Sequence, residues 1–502
     1  MSLNKINKVF GPPGAGKTTF LLNKVEEELA ADVSSRKIGY FAFTRKAANE
    51  AKERAMQKFP HLDAKTDFPY FRTLHSLAFQ CLAVRAEDIM NAEHYREFAS
   101  QAGLDLKIAM DEEVAIAKPD SPILNEINIA RIKGLDLKKH YNQSNLSIDW
   151  HHFEYIERSY RHYKSARNLL DFTDMLERIV AEPHNLPELD VLIIDEAQDL
   201  SRLQWQMVEE LTLRAKRVWI AGDDDQAIFT WAGADVGSFL GFAGEVHVLE
   251  QSYRVPAAVH RLANQIIQRV KERQPKEWKA REFEGSVQSY RRFEDVAINE
   301  GQWLIMATTN YMLNPIHEWL KSNGILFERN GVSSISPSII RSVQDWERLR
   351  KGMPISYESV KTIYRLLGPD GVARGHKTFK SGDPDKSYVM EELKEHHGLQ
   401  VDTIWHEALE KLSDDKKTYL VSILRRGTRI TDQARIRLST IHAAKGGEAD
   451  NVLLLLDTSP KFSLEASQNP DTANRLFYVG ITRAKQALHL VLPQRVEKGF
   501  VI

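Results

Sequence analysis

Short apolar runs, each long enough for one strand, alternate along the chain with stretches whose apolar residues recur at helical spacing. KINKVF runs into GPPGAGKT and then into TFLLNKVEEELA, a strand, a glycine loop and a helix. KIGYFAFT leads in the same way into RKAANEAKERAMQKF, and the resulting βαβ pattern predicts a parallel sheet. From about residue 86 to 168 the strand signals fade into helical, polar text that includes WHHFEYIERSYRHYKSARN, which predicts an inserted helical domain. Strand runs return at LDVLIIDEAQDL, RVWIAGDDDQ and EVHVLEQSYR, and they are assigned to the sheet begun at the N-terminus.

The second half repeats the alternation. GQWLIMATTN reads as a strand and PIHEWLKSNGI as the helix after it, while 335–428 is mixed, helical and polar, with a loop at GPDGVARGHKTFKSGDPDKS. RIRLSTIHAAKGGEADNVLLLLD and LFYVGITRAKQALHLVL then restore strand and helix. The pattern predicts two α/β domains, each interrupted by a mainly helical insert. Their spans are 1–85 with 169–255, insert 86–168, then 256–334 with 429–502, insert 335–428. No short internal repeat and no long low-complexity tract interrupts it.

Composition adds three limits. A chain of 502 residues with 42% hydrophobic and 27% charged residues is ordinary for a soluble globular protein with more than one core. Its net charge of -1 supplies no global field for nucleic acid, so a site for DNA or RNA has to be a local basic and aromatic surface. The single cysteine, Cys81, excludes a disulfide within the chain and reads as a buried helical thiol rather than a nucleophile. No apolar run approaches the roughly 20 residues that cross a bilayer, and the N-terminus lacks a signal peptide's apolar core. The expectation is a soluble, cytoplasmic protein without a membrane partner.

The chemistry-bearing motifs refine this. GPPGAGKT fits G-x-x-x-x-G-K-[ST], a loop whose backbone N–H groups wrap a phosphate at a helix N-terminus. Gly11, Pro12, Pro13, Gly14, Ala15, Gly16, Lys17, Thr18 and Thr19 form this stretch; Lys17 would reach the β and γ phosphates and Thr18 would ligate Mg²⁺. VLIIDEAQD delivers Asp195 and Glu196 at a strand's C-terminal end, Asp195 to hold Mg²⁺ and Glu196 to deprotonate the attacking water. Together they predict nucleotide hydrolysis. Arg254 and Arg483 are candidates for neutralising phosphoryl charge, although a lone arginine is more often a surface ion-pair residue. GDDDQAIFTWAGA sets three acids and a glutamine, types that attend a metal or phosphate, beside Phe229 and Trp231. The histidine pairs at 151–152 and 396–397 read as solvated helix faces, not metal ligands. The basic runs QRVKERQPKEWKAREF and RRGTRITDQARIR are either phosphate contacts, with Lys276 and Trp278 the leading members, or solvated surface.

Nine ordered segments, GPPGAGKT, FAFTRKAANEAKER, RTLHSLAF, LLDFTDML, LIIDEAQD, GDDDQAIFTWAGAD, LEQSYRVP, LSTIHAAKGGEAD and RLFYVGITRAK, together resemble the UvrD/Rep-type helicases of superfamily 1. The resemblance implies two RecA-like domains with ATP in the cleft between them and single-stranded DNA crossing both. It implies that Gln226 senses the γ-phosphate, Tyr253 stacks on adenine, Arg254 and Arg483 close on the γ-phosphate, and Glu448 contacts the nucleotide. It puts Phe43, Thr44, His75, Phe229, Trp231, Asn310 and His442 on DNA or on its coupling to the nucleotide. Base stacking at Phe229 and Trp231 would answer why aromatics adjoin the acids; core packing is the other reading of Trp231. The family's usual direction is 3′ to 5′.

Departures qualify the resemblance. No Gln stands among the ten residues before Gly11, where the family carries an adenine-reading segment. Ala232 replaces the family's arginine, Gly447 a leucine, and the second insert is short. The expected activity is an ATP-driven translocase, acting as a monomer on single-stranded DNA and single/double-strand junctions, that unwinds duplex, with replication or repair proteins as partners. Two alternatives remain: a translocase that displaces bound proteins with little unwinding, and a nucleotide-switched nucleic-acid binding module.

Overall fold

The computed structural model describes residues 6–64, 66–111, 116–298, 300–379 and 382–502; Lys5, which opens the predicted first strand, and Lys380 and Ser381 of the predicted loop lie outside them. The chain forms two compact units, Met1–Gly285 with Ala466–Thr482 and Ser286–Glu465 with Arg483–Ile502. Residues 256–285 and 466–482, which the pattern groups with the second domain, fall in the first unit.

In the first unit the strands are β1 (Ile6–Phe10), β2 (Ile38–Phe41), β3 (Phe71–Arg72), β4 (Lys107–Asp111), β5 (Ile116–Asp120), β6 (Leu189–Ile194), β7 (Ala215–Gly222), β8 (Glu245–Val248), β9 (Gln251–Pro256) and β10 (Lys279–Arg281). Six of them make a parallel sheet in the order β3-β2-β6-β7-β1-β8. Val191, Leu192, Ile193 and Ile194 of β6 are fully buried, as a parallel strand covered on both faces requires. Each such side chain contributes about 1.5–3 kcal/mol by leaving water. The segment EVHVLEQSYR departs from expectation, since only β8 joins this sheet and β9 pairs with β10 instead.

The stretch 86–168, predicted as a helical insert, is mostly helical but carries an antiparallel hairpin of β4 and β5. It is anchored through a buried ion cluster. Asp171 accepts from Arg131 at 2.9 Å, Lys164 at 2.5 Å and the Tyr160 hydroxyl at 3.0 Å. Burial alone would raise the Asp171 carboxyl, but Arg131 and Lys164 outweigh it and hold it below the usual carboxylate range. Asp174 beside it goes the other way, raised by burial and by the Asp171 charge.

In the second unit the strands are β11 (Ser286–Tyr290), β12 (Trp303–Ala307), β13 (Phe327–Arg329), β14 (Val332–Ser333), β15 (Ile355–Ser356), β16 (Ser387–Tyr388), β17 (Ile436–Thr440), β18 (Ala449–Leu455) and β19 (Ala484–Val491). Seven form a sheet ordered β11-β19-β18-β12-β17-β13-β14, parallel except for the β13–β14 hairpin. Both units are therefore α/β with parallel sheets, as the pattern predicts. Cys81 ends the helix Leu74–Cys81, half-buried against the core, and burial raises its thiol. His151, His152 and His396 are exposed as expected, but His397 is buried, its ring 4.9 Å from that of Phe379. Among the described residues no group of three or more His, Cys, Asp or Glu is gathered as for a metal, and no helix is long and apolar enough to cross a membrane.

Candidate functional site

In an open parallel sheet, ligands meet the loops at the C-terminal ends of the strands. In the first unit those ends carry, in spatial order, His75 after β3, Phe43 after β2, Asp195 and Glu196 after β6, Asp223 to Gln226 after β7, and the glycine loop after β1. The candidate nucleic-acid residues thus start on one side and the candidate nucleotide residues on the other.

On the β1 side, Gly14 at φ 74° and Gly16 at φ 76° give the loop left-handed turns that residues with a Cβ rarely adopt. The helix Lys17–Ala30 starts at once, so its N-terminal N–H groups face the same loop. Lys17 is buried, its Nζ donating to the Gly11 carbonyl at 2.9 Å. Strand β9 runs alongside: Tyr253 N donates to the Gly14 carbonyl at 2.9 Å, and Ser252 Oγ to that of Pro13 at 2.7 Å. A Cβ built on Gly14 would lie 2.4 Å from Arg254 Cβ, so Arg254 sits directly against the loop. Tyr253 is 72% exposed, its ring open to a planar ligand.

Asp195 accepts from Thr18 Oγ1 at 3.0 Å and from the Tyr40 hydroxyl at 2.7 Å, both on Oδ2. Burial, with the Glu196 carboxylate beside it, pushes the Asp195 carboxyl up to about 6, against those hydrogen bonds and the charge of Lys17. A hydroxyl and a carboxylate oxygen meeting beside a phosphate loop are hard donors that fit Mg²⁺. Glu196 sits in the left-handed region at φ 54°, and its carboxylate accepts from Gln198 Nε2 at 2.5 Å. Gln198 Oε1 in turn accepts from Asp223 N at 2.9 Å, and Asp223 Oδ2 from Gln226 Nε2 at 2.7 Å. Gln198 and Tyr40, to which the sequence assigns no role, therefore join the two acidic loops and the metal-type oxygens. Gln198 stands within the quoted VLIIDEAQD, whereas Tyr40 is one apolar-looking position of a strand.

The three acids of GDDDQ pair with cations of the chain itself. Lys276, its side chain wholly buried, pairs with Asp223 at 3.2 Å, Asp224 at 2.5 Å and Asp225 at 2.9 Å, and Arg273 adds a second bond to Asp225 at 2.6 Å. Burial would lower the Lys276 ammonium, but the three carboxylates outweigh it and raise it above the usual lysine value. The expectation that Lys276 and Trp278 contact nucleic-acid phosphates is overturned, because both are buried. The loop that bears Lys276 is held by the helix Pro470–Ile481, where Asp471 accepts from the backbone of Lys271 and Glu272, and Arg475 donates to the Glu272 carbonyl at 2.5 Å.

On the β2 and β3 side, Phe43 and Phe229 stack at 5.9 Å and 15°, and Trp231 meets Phe229 edge-on at 6.5 Å. Trp231 is 57% exposed, which removes the core-packing reading. Phe43, His75, Phe229 and Ala232 line a pocket of about 200 Å³. Thr44 caps the helix Arg45–Lys58, its hydroxyl accepting from Ala47 N at 3.1 Å.

The remaining candidates belong to the second unit. Asn310 and His442 follow the neighbouring strands β12 and β17 at their C-terminal ends, and Asn310 Oδ1 accepts from Asn330 at 3.0 Å. Arg483 is 1% exposed and donates to the Gly447 carbonyl at 3.3 Å, while Glu448 pairs with Lys485 at 2.6 Å.

A glycine loop between the first strand and first helix of a parallel sheet, with an aspartate reaching its threonine from another strand end, defines a P-loop protein. Residues 1–247 match the model of the UvrD/REP helicase N-terminal domain, and 405–495 that of the UvrD-like helicase C-terminal domain. The chain belongs to the UvrD/Rep helicase family. It is similar to the ATP-dependent DNA helicase PcrA of Bacillus subtilis, 28% identical over 58% of this chain and 41% of that protein. It is similar also to PcrA of Staphylococcus aureus, 27% identical over 52% of this chain and 38% of that protein. The match thus spans less than half the length of these curated relatives.

Proposed function

We propose that this protein is an ATP-dependent DNA translocase that runs 3′ to 5′ on single-stranded DNA and unwinds duplex. The observation that carries the reading is one segment. Residues 223–231 are hydrogen-bonded through Gln226, Asp223 and Gln198 to Glu196 at one end, and stack Phe229 on Phe43 at the other. A change at the phosphates therefore has a short, buried route to an aromatic surface. Named function in the PcrA proteins supports the same reading.

In this reading the loop 11–19 binds the ATP phosphates, Lys17 leaves the Gly11 carbonyl for them, and Thr18 and Asp195 hold Mg²⁺. The metal, when bound, neutralises phosphate charge during transfer. Glu196 takes the proton of the attacking water, Gln226 senses the γ-phosphate, Arg254 stabilises its charge and Tyr253 stacks on the base. The roles of Glu448 and Arg483 at the nucleotide, and of Thr44, Asn310 and His442 at the strand, rest on the resemblance. The domain spans 1–85 with 169–255 and 256–334 with 429–502 rest on the alternation of strands and helices along the chain. Phe43, His75, Phe229 and Trp231 hold bases without regard to sequence.

The test is steady-state ATP hydrolysis with and without single-stranded DNA. Stimulation of tenfold or more, about 1.4 kcal/mol off the barrier, is expected. Brisk hydrolysis indifferent to nucleic acid would sink the coupling while leaving the nucleotide site intact. Forked substrates with 3′ or 5′ tails then decide direction and unwinding.

A further inference from the structure

The pocket beside the stacked phenylalanines holds a cation that the candidate residues above do not include. Arg45 lines it together with Phe43, His75 and Phe229. Its side chain is exposed and, among the described residues, makes no ion pair and no hydrogen bond. Most other arginines of this unit's surface have a carboxylate, for example Arg54 with Glu50 and Arg85 with Asp88.

The position also runs against the helix that bears it. Arg45 is the first residue of the helix Arg45–Lys58, whose first turn contains no acid. A cation there opposes the positive end of the helix dipole. A positive group kept at a dipole-opposed site, with no counter-charge, beside two stacked rings, has the chemistry to meet an external anion. The nearest carboxylate on the pocket wall, Asp199, already accepts from Gln198 Nε2. Ala232 contributes only a methyl group to the same lining.

We propose that Arg45 binds a backbone phosphate of the nucleic-acid strand whose base occupies the pocket at Phe43 and Phe229. This rests on the reading of that pocket as a base site, and it adds the group that fixes the strand's register there. A guanidinium suits the task because it presents several donors in a fixed plane to phosphate oxygens.

The experiment is fluorescence anisotropy of a labelled oligothymidylate, and of an abasic strand of equal length, across a series of salt concentrations. Arg45→Ala is expected to weaken both strands alike and to flatten the slope of log affinity against log salt by about 0.7, the loss of one phosphate contact on a single strand. Arg45→Lys is expected to restore that slope, and Ala232→Arg in the Arg45→Ala background to recover part of it. Phe229→Ala serves as the companion variant, weakening oligothymidylate but not the abasic strand.

An unchanged slope in Arg45→Ala, with Phe229→Ala still weakened, overturns the assignment of Arg45 alone. An Arg45→Ala loss confined to the strand with bases overturns it too, since the contact is then to a base. If Phe229→Ala also leaves oligothymidylate binding untouched, the base pocket itself fails, and the proposal for Arg45 with it.

Discussion

Gln198 and Lys276 each hold more of the nucleotide side in place than their sequence context suggests. Gln198 is satisfied at both ends of its amide, by Glu196 and by Asp223 N, and so ties the proposed base to the segment that bears Gln226. Replacing Glu196 with Gln is expected to lower steady-state hydrolysis about a hundredfold or more while nucleotide binding survives, as measured by turnover beside a fluorescent-nucleotide titration. Lys276→Met is expected to cost about 3–5 kcal/mol in chemical denaturation, because it strands buried carboxylates rather than removing a surface charge. Sequence reasoning finds the glycine loop and the DE pair because their chemistry is local. Lys276 escapes it because its partners are some fifty residues away, in a run whose composition reads as a basic surface.

At the scale of elements, the strands β2, β6, β12 and β18 are legible because buried parallel strands are written as near-continuous apolar runs, whereas β1, β7, β17 and β19 mix in polar residues and are read from shorter apolar stretches beside their motifs. The hairpin β4–β5 is not, since KIAMD and IAKPD lack such runs and lie amid helical text. Strand β9 is legible as a strand but not in its pairing, which depends on β10 returning from a distant stretch. The insert's attachment gives a pH test. The Asp171 carboxyl is held below its ordinary value, so the stability it contributes is present above about pH 4 and lost as pH falls through the depressed value. Asp171→Asn should therefore destabilise by about 3 kcal/mol at neutral pH, and the gap from the native protein should narrow as acid denaturation is approached, followed by circular dichroism.

For the whole molecule, the proposed function makes turnover and strand binding separable, joined by residues 223–231. Trp231→Ala is expected to weaken single-stranded DNA by about 1–3 kcal/mol and to abolish most DNA stimulation while leaving DNA-free hydrolysis near the native rate, a split that paired binding and turnover assays resolve. Equal loss of both rates would instead mark Trp231 as a support of the nucleotide site. The buried lysine has one more consequence, for where the protein can be cut. A fragment stopping at residue 255, the end of the first domain as the pattern draws it, would contain Asp223, Asp224 and Asp225 but neither Arg273 nor Lys276. Three like charges would then have to stay in the interior without the two cations that pair with them, with only the more distant charge of Lys8 acting on Asp224, or turn outward, taking Gln226 with them. The shortest autonomous piece of the first unit must extend past Lys276, and a limited-proteolysis core is expected to end beyond it.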